Sequence, residues 1–196
     1  MIEIRIATIQ DMEQVLDIYR YYVENTAITF EYEVPTLKEF KNRYFNITRR
    51  YPYIVAVEDN KIVGYAYASA FHSRAAYDWA VETTIYCRHT CRKKGIGKTL
   101  YTALENILKE QGILNLNACI AYPIQEDQFL TKNSVQFHQH LGYRWVGEFY
   151  QCGYKFNTWY NMVWMEKFIG KHNIPQKSIC SFEDVKMNVI HKYGIK

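Results

Sequence analysis

The segment from Trp79 to Leu108 reads WAVETTIYCRHTCRKKGIGKTLYTALENIL, and its side-chain pattern changes twice along its length. Its first part, WAVETTIYC, is rich in aromatic and β-branched residues whose side chains would alternate between two faces, which predicts a strand. Its last part predicts an amphipathic helix, because apolar residues recur with helical spacing: Ile96, Leu100, Ala103, Leu104, Ile107 and Leu108. The fold is therefore expected to centre on a strand, a turn and a helix.

The turn between this strand and this helix has the pattern R-x-x-G-x-G. It consists of Arg92, Lys93, Lys94, Gly95, Ile96 and Gly97. Two glycines allow the backbone to approach a ligand closely, and successive N–H groups at a helix N-terminus form an anion-binding nest. The turn therefore predicts a pyrophosphate bound by main-chain amides, with help from the three basic side chains.

The other sequence patterns supply the remaining elements of an α/β (α+β) fold. Strands are predicted at 2–7, 53–57, 62–68, 114–121, about 144–151 and about 159–167, and helices after Thr8 or Asp11, after the Thr36–Glu39 capping box and at 133–141. Residues 58–61, EDNK, predict a hairpin turn, and Gly112 is placed to end the central helix. The order β-α-α-β-β-β-α-β-α-β-β indicates a central mixed, mostly antiparallel sheet flanked by helices.

The composition favours one well-buried domain, because the chain has 196 residues, of which 48% are apolar and 22% are charged. The net charge of +4 does not indicate a nucleic-acid surface. Residues 167–196 contain six lysines against Glu183 and Asp184, so the rest of the chain is balanced. There is no run of 18 apolar residues and no signal peptide, so no membrane partner is expected.

The five cysteines form no recognisable metal-binding or disulfide pattern. Only Cys87 and Cys91 lie close together in the sequence, and no second pair or suitably spaced histidine completes a zinc site. We therefore expect reduced thiols, a cytoplasmic location and no metal.

The R-x-x-G-x-G turn between a strand and a helix resembles the acetyl-CoA loop of the GNAT superfamily of N-acetyltransferases. The chain is also similar to phosphinothricin and methionine sulfoximine acetyltransferases in four segments that follow in family order: TFEYE at 29–33, RAAYDWAVETTIY at 74–86, HQHLGY at 138–143 and GYKFNTW at 153–159. The resemblance covers roughly residues 2–166. It implies the GNAT strand order, acetyl-CoA as the cosubstrate and a small-molecule amine as the acceptor.

The resemblance also implies a division of the chain. Residues 1–169 would form the GNAT acetyltransferase domain, and residues 170–196 would form a basic C-terminal extension. Within that extension, residues 181–191 predict a short helix capped by Ser181, which could dock on its own domain or on a partner.

Glu82 is the candidate general base. An amine attacks a thioester only in its neutral form, whereas an α-amino group is mostly protonated at pH 7, so a base assists the reaction. A carboxylate within a strand is unusual, and partial burial would raise its pKa toward the working range of a base. The resemblance places the family's base at this position. The alternatives are a solvent-facing strand residue and a salt bridge to Arg74.

The resemblance implies that His138 donates the proton that the CoA thiolate takes up. Many GNAT enzymes have a tyrosine there, four residues before a Gly-aromatic pair, which in this chain is Gly142-Tyr143. Histidine can donate a proton near neutral pH, and Ser134 lies one turn earlier on the same helix face. The alternative is a packed or surface histidine without a chemical role.

Further coenzyme contacts are implied by the resemblance. Backbone groups of the central strand would hold the pantetheine arm and the thioester carbonyl near Ile85, Tyr86 and Cys87. Asn133 and Ser134 would also contact the coenzyme, although the family pattern N-x-x-S-x-x-x-H has Thr131 at its first position here.

The acceptor site implied by the resemblance contains Phe30, Arg74, Tyr77 and Tyr154. An arginine fork suits a carboxylate, a phosphinate or a sulfoximine, because paired oxygens can be held by two hydrogen bonds. An exposed loop cation is the alternative for Arg74. Tyr154 would border the site across the interface of a homodimer, which only the resemblance implies.

Two other functions remain open. Residues 95–99, GIGKT, resemble the end of the Walker A motif of nucleotide phosphotransferases, but the position of its first glycine is occupied by Arg92. A GNAT module that binds CoA without turnover would need only the phosphate loop. The presence of Glu82, His138 and Arg74 favours an enzyme over such a module.

Overall fold

The computed structural model describes residues 2–91 and 94–196, and in these ranges the chain forms a seven-stranded sheet with helices on both faces. The strands are β1 (Glu3–Ile6), β2 (Tyr53–Glu58), β3 (Lys61–Ala70), β4 (Ala80–Cys87), β5 (Asn115–Tyr122), β6 (Arg144–Lys155) and β7 (Thr158–Phe168). The helices are α1 (Met12–Asn25), α2 (Leu37–Thr48), α3 (Ile96–Gln111), α4 (Asn133–His140) and α5 (Phe182–Tyr193). The strand order is β1-β2-β3-β4-β5-β7-β6, and only β4 and β5 are parallel neighbours. The predicted mixed, mostly antiparallel α/β fold is confirmed.

Local sequence signals set several element boundaries. The β2–β3 hairpin turns at Asp59 and Asn60, whose φ values of 51° and 61° are the left-handed pair that a two-residue turn requires. Helix α2 begins with a capping box, in which the Glu39 amide donates to Thr36 Oγ1 at 3.3 Å and the Thr36 amide donates to Glu39 Oε2 at 2.8 Å. Helix α3 ends at Gly112, which has a φ of 85°.

The two faces of the sheet carry separate cores because side chains alternate along each strand. On β2, Ile54 and Ala56 pack against α3 and α5, whereas Tyr53 and Val55 pack against α1 and α2. The face covered by α1 and α2 is rich in tyrosine.

The parallel strands β4 and β5 separate part-way along their length. They pair only where Ala80, Val81 and Glu82 lie beside residues 115–117. Beyond that point β4 remains paired with β3 as far as Cys87, and β5 remains paired with β7 as far as Tyr122. A wedge therefore opens in the middle of the sheet directly after Glu82.

Helix α5 packs on α3, with Phe182, Val185 and Val189 buried toward it. The last residue joins the sheet edge, since the Ile6 amide donates to the Lys196 carbonyl at 2.7 Å. In the part of the chain that the structure describes, no helix has both the length and the apolar character needed to cross a membrane.

Candidate active site

A cavity of about 270 Å³ occupies the wedge between β4 and β5. One wall consists of β4 residues 82–86, and the opposite wall consists of β5 residues 118–121. Ser134 and His138 of α4 close one end, while side chains of α1, α2 and the loop between them line the other. The strand separation therefore creates a chamber that reaches from α4 to the tyrosine-rich face.

Glu82 lies on the last paired position of β4 before the wedge, opposite Ser69 of β3 and Asn117 of β5. It lines the cavity, and among the described residues it has no salt-bridge partner, so the predicted alternative of a pair with Arg74 is not seen. Burial raises the pKa of its carboxyl. A half-buried carboxyl without a cationic partner, at the edge of a cavity, has the properties of a general base near neutral pH.

His138 is buried, with 3% of its surface exposed, and both of its ring nitrogens are hydrogen-bonded. Nδ1 lies 2.7 Å from the Ser134 carbonyl, which can only accept, so Nδ1 carries the proton. Nε2, 3.1 Å from the Tyr101 hydroxyl, is then the acceptor. Burial lowers the pKa of His138 to about 4, so the ring is neutral at pH 7. This differs from the expectation that His138 donates a proton, because its only N–H is held by Ser134.

The predicted anion nest coincides with the N-terminus of α3, which the structure describes from Lys94 onward. Gly95 has a φ of 76°, a conformation that favours glycine, and the first intrahelical bond runs from the Thr99 amide to its carbonyl. The preceding amides of Ile96, Gly97 and Lys98 donate no intrahelical hydrogen bond to any residue that the structure describes. Amides at this position of a helix can bind an anion, and the helix dipole adds to the attraction.

The side chains of the turn differ in their surroundings. Lys94 forms a salt bridge of 3.1 Å with Glu58, and the Ile96 side chain is buried in the core. A Cβ on Gly97 would come within 3.0 Å of the Phe137 ring, so this glycine allows α4 to approach α3 closely. Arg92 and Lys93, which were also predicted to assist phosphate binding, lie outside the described residues.

The predicted pantetheine positions lie on the part of β4 that is paired with β3 but has separated from β5. Ile85 and Tyr86 line the cavity, whereas Cys87 does not, and its carbonyl accepts a hydrogen bond from the Tyr22 hydroxyl. Burial raises the pKa of the Cys87 thiol to about 11 and that of the cavity-lining Cys119 to about 12. Neither thiol is a ready nucleophile at neutral pH.

On α4, Ser134 lines the cavity, whereas Asn133 is the first residue of the helix and does not.

Five tyrosines form much of the cavity wall on the α1–α2 side. Four of the rings stack in sequence, with centroid separations of 4.9 Å for Tyr53–Tyr67, 5.8 Å for Tyr53–Tyr65 and 5.6 Å for Tyr65–Tyr86. The fifth, Tyr19 of α1, meets Tyr86 edge to face at 5.2 Å. Four stacked rings on adjacent strands, closed by a ring from a helix, form a rigid wall with few polar atoms. This wall limits the size of any group that enters from the wedge.

The predicted acceptor residues are not among those that line the cavity. Arg74 is exposed, and Tyr77 packs against Phe71 and His72 in the connection between β3 and β4. Phe30 packs over Gly153 and beside Tyr160, on the side of its loop away from the cavity. Tyr154 is 43% exposed and contacts Trp159.

Comparison with known proteins assigns the family. Residues 4–164 match the acetyltransferase (GNAT) domain. The chain belongs to the GNAT acetyltransferases. The matched range contains the whole sheet except the end of β7, together with the wedge, its cavity and the N-terminus of α3.

Relatives of this GNAT domain include acetyltransferases named for two kinds of substrate. It is 36% identical over 168 residues to a phosphinothricin N-acetyltransferase of Streptomyces viridochromogenes, a match that covers 85% of this chain and 88% of the relative. It is 28% identical over 166 residues to an L-methionine sulfoximine/L-methionine sulfone acetyltransferase of Pseudomonas aeruginosa, covering 83% and 92% of the two chains.

The fold also matches a solved structure. A GNAT superfamily phosphinothricin acetyltransferase of Sinorhizobium meliloti, crystallised with AcCoA, superimposes with a TM-score of 0.81. The two proteins are 31% identical, and the match covers 91% of this chain and 93% of the other.

Two cavity residues of this GNAT domain were missed by the sequence analysis. Arg43 of α2 and Glu31 of the α1–α2 loop both line the cavity, and Arg43 Nη1 lies 2.6 Å from Glu31 Oε1. Arg43 sits three residues after Phe40 on an amphipathic helix, and nothing in the sequence distinguishes it from the other exposed cations of that helix. Only the packing of α2 against the sheet places it beside the wedge.

Proposed function

We propose that this GNAT enzyme transfers the acetyl group of acetyl-CoA to the amine of a small amino acid-like molecule of the phosphinothricin or methionine sulfoximine type. The observation that carries the proposal is the position of Glu82, at the point where β4 and β5 separate. The names of the relatives support the choice of donor and acceptor class.

The coenzyme's diphosphate would bind to the backbone amides at the N-terminus of α3, assisted by the positive charges of the turn. Backbone groups of β4 between Ile85 and Cys87, on the edge that has separated from β5, would hold the pantetheine arm in the wedge. This arrangement would place the thioester near Glu82 and Ser134.

Glu82 would remove a proton from the acceptor's ammonium group. The neutral nitrogen then attacks the thioester carbonyl carbon, a C–N bond forms, and the C–S bond breaks as the thiolate leaves. The second amine proton is released, and the thiolate takes up a proton, so the products are an N-acetyl compound and free CoA. Enclosure by the tyrosine wall would limit competing attack by water.

We assign His138 a positioning role. Its neutral ring accepts from the Tyr101 hydroxyl and donates to the Ser134 carbonyl, which joins α3 to α4 across the end of the cavity. A positively charged imidazolium, the form that donates protons most readily, is disfavoured there by burial.

The deciding experiment measures thiol release from acetyl-CoA with L-phosphinothricin, L-methionine sulfoximine and L-methionine as acceptors. Glu82→Gln keeps the shape of the side chain but removes the base, and we expect kcat to fall by about 10²–10⁴-fold. The Kd for acetyl-CoA should change little, because Glu82 is not part of the phosphate nest.

Glu24→Gln is the matched control, since Glu24 is an exposed residue of α1 whose ion-pair partner in the described part of the chain is Arg20. Full turnover by Glu82→Gln would remove Glu82 as the base. Acetyl-CoA binding without thiol release from any acceptor would instead favour a non-catalytic CoA-binding module. Stabilisation by ATP-Mg rather than by acetyl-CoA in a thermal-shift assay would favour the phosphotransferase reading.

We further propose that two copies associate through the β6–β7 end of the sheet and that the enzyme acts in the cytoplasm. Exposed aromatic residues concentrate there: Trp145, Phe149, Tyr150, Tyr154 and Trp159. Strand β6 ends the sheet, and in the described part of the chain no strand covers its outer edge. An exposed apolar edge of this kind favours association with a second copy.

Light scattering after size exclusion tests the association. Phe149→Glu should shift the protein toward monomer, whereas Phe45→Glu, a control on α2 with a similar exposed fraction of 51% against 56%, should not. A wild-type protein that is monomeric at micromolar concentration would contradict the proposal.

A further inference from the structure

Among the described residues that line the cavity are one cation and two carboxylates. Arg43 and Glu31 form the ion pair described above, and Glu82 lies on the same cavity without an ionic partner among the described residues. Tyr67 lines the same cavity, and burial is the main reason that its pKa is raised, with smaller effects from the charges of Glu82, Arg43 and Glu31. The three charged groups therefore share one small chamber.

The loop that carries Glu31 is held firmly. The Thr29 hydroxyl is 2.8 Å from the Tyr19 hydroxyl, and the Thr29 carbonyl accepts from Lys155 Nζ at 2.9 Å. The same ammonium group donates to the carbonyls of Val23 and Thr26 at 2.7 and 2.9 Å. Glu31 therefore follows a segment whose backbone is fixed to β6.

The Arg43–Glu31 pair itself is only partly buried. Its side chains are 47% and 35% exposed, so water reaches both charges. Pairs of this kind contribute little to the stability of the fold. A guanidinium whose intramolecular partner is held so weakly can exchange that partner for a ligand carboxylate, which it can bind through two parallel hydrogen bonds.

We propose that Arg43 binds the carboxylate of a zwitterionic α-amino acid acceptor and that Glu31 competes with that carboxylate for the guanidinium. This proposal rests on the proposed function and specifies its acceptor. The ammonium group of the zwitterion would face Glu82, and its carboxylate would face Arg43. Arg43 would then favour acceptors that carry a carboxylate, because an amine without one gains no ion pair with the guanidinium, and Glu31 would moderate that preference.

The test measures binding rather than turnover. Isothermal titration of the CoA-saturated protein would use L-phosphinothricin, L-methionine sulfoximine and L-methionine, with L-methioninamide as the ligand that lacks the carboxylate. Arg43→Met should weaken binding of the carboxylate ligands about tenfold or more, and should change methioninamide binding by less than about twofold. Glu31→Gln should tighten binding of the carboxylate ligands by about threefold, because the competitor's charge is lost.

The two variants are expected to change the affinity for carboxylate ligands in opposite directions, which separates ligand recognition from a structural effect. If the ion pair only stabilised the loop, both variants would weaken binding. Arg49→Met is the matched control, since Arg49 is an exposed arginine at the end of the same helix and does not line this cavity. It should leave every affinity unchanged.

Three results would overturn the proposal: unchanged preference for carboxylate ligands in Arg43→Met, weaker binding in Glu31→Gln, or no binding of any carboxylate ligand to the wild-type protein. The proposed function can fail separately. In that case the thiol-release assay shows no transfer, while the titrations still decide whether Arg43 binds the carboxylate.

Discussion

At the scale of single residues, the pKa values of Glu82 and His138, which line one cavity, are shifted in opposite directions. Burial raises the pKa of the carboxyl and lowers that of the imidazole, and in both cases the neutral form is favoured. Each shift links a charge to the stability of the fold, with a different direction of pH dependence.

Because the pKa of Glu82 is raised in the folded state, ionisation of this residue should lower the free energy of unfolding. The folded state binds its proton more tightly than the unfolded state, so its contribution falls as pH rises from about 4.5 through the raised value. Glu82→Gln should therefore raise Tm at pH 7.5 and have less effect at pH 4, measured by circular dichroism. An equal change in Tm at both pH values would contradict this linkage.

The same carboxyl predicts the acid limb of the activity profile. A base acts only when deprotonated, so kcat/KM should fall as pH drops through the raised pKa of Glu82. The measurement is a pH profile of thiol release at limiting acceptor concentration. A rate that is independent of pH down to the ordinary range of a glutamate would contradict the assignment.

His138 predicts acid sensitivity of the fold. Its pKa is about 4 in the folded state and about 6.5 when unfolded, so stability is fully present above pH 6.5 and is lost as pH falls toward 4. Across this window the free energy of unfolding should fall by about 3 kcal/mol from this residue alone. Urea denaturation at pH 7 and at pH 4.5 measures the effect.

The control for that measurement is His138→Gln, which lacks the titrating group. Its free energy of unfolding should be lower than wild type at pH 7 but should depend less steeply on pH.

At the scale of elements, the end of β6 fixes the α1–α2 loop. A Cβ on Gly153 would lie 2.3 Å from the Phe30 ring, so only glycine allows this ring to rest on the strand. Beside it, Tyr32 donates a hydrogen bond to the Tyr154 carbonyl, and Lys155 binds three carbonyls at the end of α1. Three consecutive residues of β6 thus hold the segment that carries Glu31.

Gly153→Ala should displace Phe30 and lower the free energy of unfolding by about 1–3 kcal/mol through overpacking. Gly147→Ala is a matched control in the same strand, because a Cβ there meets nothing within 4 Å. Equal stabilities of the two variants in chemical denaturation would show that the Phe30 contact does not constrain the loop.

The predictability of elements and that of contacts differ in this chain. Turns, caps and helix faces depend on neighbours in the sequence, so the Asp59-Asn60 turn, the Thr36 capping box and the end of α3 at Gly112 could all be predicted. The Lys155 contacts join segments that are distant in the sequence. The Arg43–Glu31 pair joins two residues whose sequence surroundings predict only exposure to solvent. No local signal marks such contacts, because they arise from packing.

At the scale of the whole molecule, the C-terminal segment is tied to the domain by burial and by charge. Three of its basic side chains pair with carboxylates elsewhere: Lys167 with Glu105, Lys192 with Glu110 and Lys196 with Glu3. The excess positive charge found in the sequence of the tail is thus partly neutralised within the fold, and helix α5 adds an apolar face against α3.

Val189→Asp should test the contribution of that face. Val189 is fully buried, and an unpaired carboxylate there should lower the free energy of unfolding by several kcal/mol, of order 3. Met187→Asp is the control on the same helix, where 61% of the side chain is exposed, and it should be nearly neutral. Equal effects in thermal denaturation would mean that α5 is not docked in solution.

The tyrosines of the cavity wall absorb in the near ultraviolet and can therefore report ligand binding. The rings of Tyr19 and Tyr86 contact each other at the cavity, and Tyr67, which also lines it, contacts Tyr53. A molecule entering the wedge therefore changes the polarity that these chromophores experience. Near-ultraviolet difference absorbance and dichroism should thus register occupancy directly, without a label or a coupled assay. Titrations of unknown acceptors could then be screened by the protein's own absorption.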